Sequence, residues 1–171
     1  MKLLDKLLLA ATLFAAGSAL LVLPEFAASS SQDMGGMHHE TSSDEPTPAF
    51  HAEAPKDPLP ATMEPSLYSD NILTFNAYSV AGRIKKVLYQ EPCYCHCDRS
   101  QGHGSLLDCF VSHHGSGCEI CQKEAFYSYE QTRKGKTPAQ IRAAIMKGDW
   151  QKVETAKYAK AFLPPSNTPA K

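Results

Sequence analysis

The sequence predicts an all-α protein, in which a small helical domain carries a long loop, rich in cysteine and histidine, between its first two helices. Apolar residues recur at helical spacing in four stretches after residue 69, and no stretch alternates apolar and polar residues as a half-buried strand does. The 171 residues suffice for one domain with extensions. All six cysteines lie in the second half of the chain, so we expect the chemistry there.

The chain begins with a segment typical of export. Lys2 and Lys6 flank the start of an apolar run over residues 7–23, and Ala27-Ala28-Ser29 offers the small residues that a signal peptidase prefers. Residues 1–28 are therefore predicted to be a signal peptide or, because the run approaches the length that spans a bilayer, a membrane anchor. In both cases the rest of the chain is expected to be extracytoplasmic, in the periplasm or at the cell surface. It would be secreted if the segment is cleaved, and attached to the membrane if the segment is an anchor.

Residues 29–66 are predicted to be a disordered linker, rich in proline and serine. They contain six prolines and few large apolar residues, so they cannot bury enough surface to offset the entropy of ordering. One cluster in this linker, which contains Met34, Met37, His38 and His39, combines the thioether and imidazole ligands that suit copper. The alternative is a polar linker in which these residues bind nothing.

The first two helices are predicted on either side of the cysteine-rich loop. Ser69 can cap a helix that begins near Asp70 and ends before Pro92, because the residue before a proline avoids the helical region. The second helix is predicted over 118–132, with Gly135 ending it as a C-terminal cap does.

Two more helices are predicted after the second. Thr137-Pro138-Ala139-Gln140 forms a capping box with proline in the first turn, and the helix that it starts runs to Gly148. Asp149 can start a fourth helix with its own apolar stripe. The helical domain is thus placed at 67–163 and is followed by a disordered tail at 164–171.

The loop between the first two helices concentrates the reactive side chains. Such a long stretch without apolar periodicity is uncommon in a compact domain unless it is functional or cross-linked. Its six thiols are therefore predicted to take the place of a hydrophobic interior. They belong to Cys93, Cys95, Cys97, Cys109, Cys118 and Cys121, and the imidazoles between them belong to His96, His103, His113 and His114.

The spacing of the cysteines favours a shared centre. In Cys93-x-Cys95-x-Cys97, an extended backbone places the sulfurs about 6.6 Å apart on one side, whereas a turned backbone brings them close enough to share an ion. A disulfide between residues two apart would be strained. Cys118-x-x-Cys121 lies at a predicted helix start, where the amide dipoles lower a thiol pKa. That second spacing suits zinc, copper and redox disulfides alike.

Three functions compete for these cysteines. We favour an exported protein that binds a soft metal ion for sequestration or delivery, with Cu⁺ as the ion, because six thiolates exceed the four ligands of zinc. Zinc is the alternative metal. The other two functions are an extracytoplasmic thiol–disulfide redox protein and a structural or interaction module with disulfides, for which six cysteines allow 15 connectivities.

Other classes of function find little support in the sequence. A net charge of −1 and a pI near 6.6 argue against nucleic acid as a partner, since a basic surface is expected there. No phosphate-binding glycine loop, nucleophilic serine motif or pair of carboxylates in an apolar setting occurs. A non-enzyme is therefore favoured, although the question stays open, and no particular protein partner is indicated.

The cysteine-rich region resembles a known family. Pro92-Cys-Tyr-Cys-His-Cys97, the segment His103–Val111 and the segment Cys118–Ala125 are similar to the exported bacterial proteins with a PCYCGC motif, also called the CYCxC (seleno)protein family. The resemblance covers about residues 75–150. The chain departs from it in having His96 where the family has glycine, and in having no cysteine before Cys93 for the lipid that many members carry.

The resemblance also bears on the chemistry. Selenocysteine replaces a cysteine in some members, which implies sulfur reactivity or soft-metal coordination rather than inert disulfides. The positions that match the family and that we expect in the metal site are Cys93, Cys95, Cys97, Cys109, Cys118, Cys121 and His103.

Overall fold

The structure, a computed structural model, describes residues 45–162. Within this range it contains helices and 3-10 turns and no strand, which confirms the prediction of an all-α protein. The 3-10 turns are Pro65–Tyr68, His114–Ser116, Asp149–Lys152 and Thr155–Tyr158. The helices are α1 (Ile72–Arg83), α2 (Lys85–Leu88), α3 (Cys97–Gln101), α4 (Asp108–Val111), α5 (Glu119–Arg133) and α6 (Pro138–Ile145).

Three predicted segments lie outside the described residues. They are the signal peptide or anchor at 1–28, the Met/His cluster at 34–39 and the tail at 164–171. Their assignments stay predictions. Between residues 45 and 162, no helix has the length and apolar character that crossing a bilayer requires.

The first predicted helix is present, but its start and its continuity differ from the prediction. Asn71, rather than Ser69, is the N-cap, and its side-chain oxygen accepts a hydrogen bond from the Thr74 amide at 3.1 Å. The helix is interrupted at Ile84, whose φ of −121° is not helical, and resumes as α2. Gly82 lowers the helix propensity just before the interruption.

The second and third helices agree with their predictions. Helix α5 begins one residue after Cys118, and Gly135 beyond its end has the positive φ of 77° that favours glycine. At the start of α6, both hydrogen bonds of the capping box between Thr137 and Gln140 are present.

The predicted fourth helix is two separate 3-10 turns. They are joined at Val153, whose ψ of 121° is extended. The apolar stripe still reaches the core, because Trp150, Val153 and Tyr158 are buried. Tyr158 stacks on Phe126 of α5, with ring centroids 3.8 Å apart, and its backbone carbonyl accepts a hydrogen bond from Asn76 of α1. Tertiary contacts, rather than the hydrogen bonds of a continuous helix, therefore fix the position of this segment.

Residues 45–64 differ from the disordered linker that the sequence predicts, since they lie against the helices. Glu45 forms an ion pair with Arg99 at 2.6 Å, and the Met63 amide donates a hydrogen bond to the Phe110 carbonyl at 2.8 Å. The packed unit thus begins before residue 67. The segment has no helix of its own, but its backbone polar groups find partners on the domain, and its prolines reduce the entropy lost on ordering.

The core lies between α1, α5 and the cysteine-rich loop. The loop was expected to lack apolar residues for a core, and the structure differs here too. Leu106, Leu107 and Phe110, in and just before α4, are at most 1% exposed. The other large side chains in the core are Tyr78, Leu88, Phe126, Ile141 and Ile145. The sulfur atoms therefore supplement an ordinary hydrophobic interior and do not replace it.

Glu130 on α5 ties the last described turn to the helices and makes stability depend on pH. Burial raises the pKa of its carboxyl, but the Lys157 ammonium and the Tyr158 hydroxyl lower the pKa by more than burial raises it. The pKa of Glu130 therefore lies below the ordinary 4.5. A lowered carboxyl pKa adds stability that is fully present above the ordinary value and is lost as the pH falls through the folded-state pKa.

We expect Glu130→Gln to lower the free energy of unfolding at pH 7 by about 1 to 2 kcal/mol, because it removes a charge-assisted hydrogen bond. The difference from the unaltered protein should shrink as the pH falls through the folded-state pKa of Glu130, because both proteins then carry a neutral side chain at this position. Urea denaturation at pH 7 and pH 3 measures it. Glu119→Gln is the matched control, since Glu119 is 68% exposed in its pair with Lys123. Equal losses in both variants would contradict the expectation.

Candidate metal centre

The sulfur atoms of five cysteines converge in what we call the sulfur cluster, namely Cys93, Cys95, Cys97, Cys109 and Cys121. The Cys93 Sγ lies 3.4 Å from the Sγ atoms of both Cys95 and Cys121, which are 3.5 Å apart. The Cys97 and Cys109 Sγ atoms are 3.4 Å apart. All six cysteines of the chain are free thiols in the structure, and these separations far exceed a disulfide bond of about 2.05 Å.

Two imidazoles contact the sulfur cluster. The predicted site residue His103 places its Nδ1 3.4 Å from the Cys109 Sγ. His114, which the sequence did not single out, places its Nε2 3.3 Å from the Cys95 Sγ. The two rings meet edge to face, with centroids 5.3 Å apart. The adjacent His113 turns away and accepts or donates a hydrogen bond at the Tyr68 hydroxyl, so sequence alone could not tell which member of the histidine pair faces the sulfurs.

Cys118 lies at the edge of the sulfur cluster. It is the N-cap of α5, is half-buried, and is outside the groups of donor atoms that are close enough to share an ion. A hydrogen bond with Cys121 lowers its pKa, but the contact with Cys95 and burial raise the pKa overall to about 11. The lowered pKa that its place at a helix start predicts is therefore not found, because the contact with Cys95 and burial together raise it.

The donor atoms form two overlapping groups with metal-ligand spacing. One group is Cys93, Cys95, Cys97 and Cys109, and the other is Cys95, Cys109, Cys121 and His114; in each, all donor atoms lie within 4.8 Å of one another. Four sulfurs around zinc, with bonds of about 2.3 Å, are about 3.8 Å apart. The sulfur cluster could therefore hold a metal ion after small side-chain movements.

A tight turn brings the first three cysteines together. The Tyr94 amide donates a hydrogen bond to the Glu124 carboxyl of α5 at 2.9 Å, which anchors the turn against the helix. His96 has a φ of 56°, and among the described residues it is the one non-glycine residue with a positive φ. Its Nε2 lies 3.3 Å from Glu45, outside the sulfur cluster. The backbone here favours glycine, which explains why glycine occupies this position in the family that the sequence resembles.

Close packing positions His114 and Cys109 against one another. A Cβ atom on Gly115 would lie 3.0 Å from both the Cys109 carbonyl oxygen and the Phe110 ring, so only glycine fits beside them. The Gln122 side chain of α5 donates a hydrogen bond to the Gly115 carbonyl at 2.9 Å. Helix α5 thus holds the turn that carries His114.

Hydrogen bonds among the sulfurs shift the thiol pKa values in opposite directions. Hydrogen bonds from Cys121 and Cys93 lower the pKa of Cys109 to about 4, and hydrogen bonds from neighbouring sulfurs, Cys109 first, hold that of Cys95 well below its ordinary range. The pKa values of Cys93, Cys97 and Cys121 are raised, first by the hydrogen bond with Cys109 and also by burial. These shifts favour thiolate at Cys95 and Cys109, and thiolate is the form that binds metal.

Two fully buried glutamates flank the motif. Burial raises the pKa of Glu91 to about 8, an effect that Arg142 opposes. Burial likewise raises the pKa of Glu124 well above its usual range, although the Tyr94 amide and the Cys93 thiol act against it. Burial thus disfavours the charged form of both carboxyls beside the sulfur cluster.

One side of the site is open to solvent. Cys95, His103, His114 and Cys118 are half-buried, whereas the other four cysteines of the site are buried. These four side chains are therefore the part of the site that the core encloses least.

The structure thus brings six of the seven predicted site residues into contact. Five are the cysteines of the sulfur cluster, the sixth is His103, and Cys118 lies at the edge. His114 is the donor that the sequence prediction missed.

Comparison with known proteins agrees with the resemblance seen in the motif. No curated protein and no solved structure matches the chain. A family model described as "Protein of unknown function with PCYCGC motif" matches residues 7–171, nearly the whole sequence. Because that match spans the apolar start, the cysteine-rich loop and all the helices, the chain belongs to the PCYCGC-motif family.

Proposed function

We propose that this protein is exported and binds Cu⁺ in the sulfur cluster, either to sequester the ion or to deliver it to another protein. One observation carries the proposal: five cysteine sulfurs and two imidazole nitrogens come together in the sulfur cluster, in two overlapping groups of donor atoms. Thiolates are soft ligands, and they select Cu⁺ and zinc over hard cations.

Two features favour copper over zinc. Zinc takes four ligands in a closed tetrahedral site, so it would leave three of the seven donors unused. The Met34, Met37, His38 and His39 cluster adds thioether and imidazole ligands of the kind that suit copper on the same chain. Export is supported by the sequence of residues 1–29, and delivery by the half-buried donors, through which a partner could exchange ligands with the ion.

Thiol–disulfide exchange outside the cytoplasm is the second candidate function. The observation that favours it is Cys95, whose sulfur is half-exposed and has a lowered pKa, as in reactive cysteines. This function requires a cysteine pair that equilibrates with a glutathione buffer and turns over a disulfide substrate.

Competition for copper tests the first function. The full-length chain, reduced under anaerobic conditions, is mixed with Cu⁺ and a coloured Cu⁺ chelator, and the copper that stays with the protein is measured by elemental analysis. We expect retained copper, protection of the thiols from alkylation, and displacement of bound Zn²⁺ by Cu⁺. Fractionation of cells that produce the chain should place it outside the cytoplasm.

Three results would contradict the proposal. The chelator could take all the copper, Zn²⁺ could resist displacement by Cu⁺, or the protein could purify with no titratable thiols and no metal, which would indicate disulfides. Turnover of a disulfide substrate that Cys95→Ala abolishes, together with no retained copper, would establish the redox function instead.

A further inference from the structure

The two donor groups in the sulfur cluster overlap in a particular way. Both contain the sulfurs of Cys95 and Cys109, whereas Cys97 occurs only in the first and His114 only in the second. Cys97 lies 3.4 Å from Cys109, and His114 lies 3.3 Å from Cys95. Each shared sulfur thus contacts a donor that is specific to one group.

We propose that the sulfur cluster binds two Cu⁺ ions that share the thiolates of Cys95 and Cys109. The first ion is completed by Cys93 and Cys97, and the second by Cys121 and His114. This inference rests on the proposed function and adds to it the number of ions and the role of each ligand.

The number of donors favours two ions over one. A single ion uses at most four of the seven donors, so it would leave at least three of them, including at least one cysteine of the cluster, without a metal. Four of the five cysteines are buried, with Cys97 and Cys121 at most 1% exposed. Two ions that share two sulfurs give every cysteine of the cluster a bond to metal.

Electrostatic repulsion among the thiolates also favours two bound ions over one. Thiolates that are removed from water and crowded at 3.4 to 3.5 Å repel one another, and each cation bound between them reduces that repulsion. As each ion binds, the remaining thiol protons of its ligands pass to the buffer, and no oxidant or reductant takes part.

The positions of Cys95 and Cys109 suit bridging ligands. Cys95 has contacts with Cys93, Cys121 and His114 at 3.3 to 3.5 Å, and it therefore faces members of both groups. A thiolate sulfur has lone pairs for more than one ion. His103, 3.4 Å from Cys109, can hydrogen-bond this shared sulfur and keep it oriented.

Counting bound ions tests the inference. The reduced full-length chain is titrated with Cu⁺ against the coloured chelator, and native mass spectrometry counts the ions on the intact protein. We expect two ions, together with a short copper–copper distance in X-ray absorption. One ion would overturn the shared-ligand inference and leave the proposed function intact, whereas no ion would overturn both.

Single substitutions test the assignment of ligands. His114→Ala and Cys97→Ser should each keep one tightly bound ion and weaken the other by more than about tenfold. Cys95→Ser and Cys109→Ser should weaken both ions and abolish the copper–copper distance. His113→Ala is the matched control and should keep two ions, because His113 contacts Tyr68 and not the sulfurs.

Circular dichroism of each variant checks that it folds. If a bridging variant fails to fold, the copper–copper distance in the unaltered chain and the His114→Ala and His113→Ala pair decide the question. Two ions with unchanged affinity in both His114→Ala and Cys97→Ser would overturn the assignment.

Discussion

We expect saturating Cu⁺ to raise the melting temperature of the reduced protein by about 15 °C. A ligand that binds the folded state alone, at a free concentration about 1,000 times its Kd, adds about 4 kcal/mol to the free energy of unfolding. For a domain of this size, each kcal/mol corresponds to roughly 4 °C. The effect is large because the ligands come from three separate parts of the chain, the turn at 93–97, Cys109 in α4 and Cys121 in α5, so that the ion cross-links them.

Thermal unfolding followed by circular dichroism measures this effect, with a reducing agent present throughout. Excess Cu⁺ chelator is the control and should return the melting temperature to that of the metal-free protein. Zn²⁺ at the same concentration should give a smaller increase. An unchanged melting temperature at saturating Cu⁺ would show that the sulfurs do not bind the ion in the folded state.

Phe110→Ala lowers the free energy of unfolding by about 3 to 5 kcal/mol, the second large effect that we expect. The Phe110 side chain is fully buried, and its ring meets the Tyr78 ring edge to face at 5.1 Å. The ring also packs against Gly115, next to His114. Truncation therefore leaves a cavity between α1, α4 and the turn that carries His114.

Urea denaturation of the metal-free protein measures this loss. Leu67→Ala is the control, because Leu67 is 58% exposed and its truncation should change stability by no more than about 0.5 kcal/mol. Because the Phe110 ring supports both Cys109 and the neighbouring turn, the variant should also bind Cu⁺ more weakly. A loss below about 1 kcal/mol would mean that the core closes around the missing ring.

The sequence predicted helix ends correctly where an end depends on residues within a few positions of it. The capping box at Thr137, the glycine beyond α5 and the start of α5 at Cys118 all depend on residues within a few positions, and the structure agrees with each. The first helix was located correctly, but its cap was misplaced by two residues. Two polar residues, Ser69 and Asn71, are available for that position. Ser69 ends the preceding 3-10 turn with helical dihedrals, whereas Asn71 has the extended backbone that an N-cap requires.

Predictions that depended on distant contacts were less accurate. The apolar stripe from Trp150 to Tyr158 has helical spacing, yet the segment forms two 3-10 turns. Two other helices hold Tyr158: Asn76 donates a hydrogen bond to its carbonyl, and Glu130 accepts one from its hydroxyl. Residues 45–64 have the composition of a linker, but partners such as Arg99, far along the chain, hold them against the domain. Amino-acid composition indicates how much apolar surface a segment can bury by itself. It does not indicate which contacts a distant part of the chain makes with that segment.

By itself, the sequence determined the helical class, the membership in the PCYCGC-motif family and the cysteines of the candidate site, because periodicity and thiol spacing are properties of neighbouring residues. Only the tertiary structure decided which donors meet. In the folded protein, His114 rather than His113 points toward the sulfurs, and Cys118 lies at the edge of the sulfur cluster. Cys95 and Cys109 belong to both donor groups. The physical reason is that α5 and the core around Phe110 set the relative positions of three chain segments, and no pattern within any one of them encodes those distances.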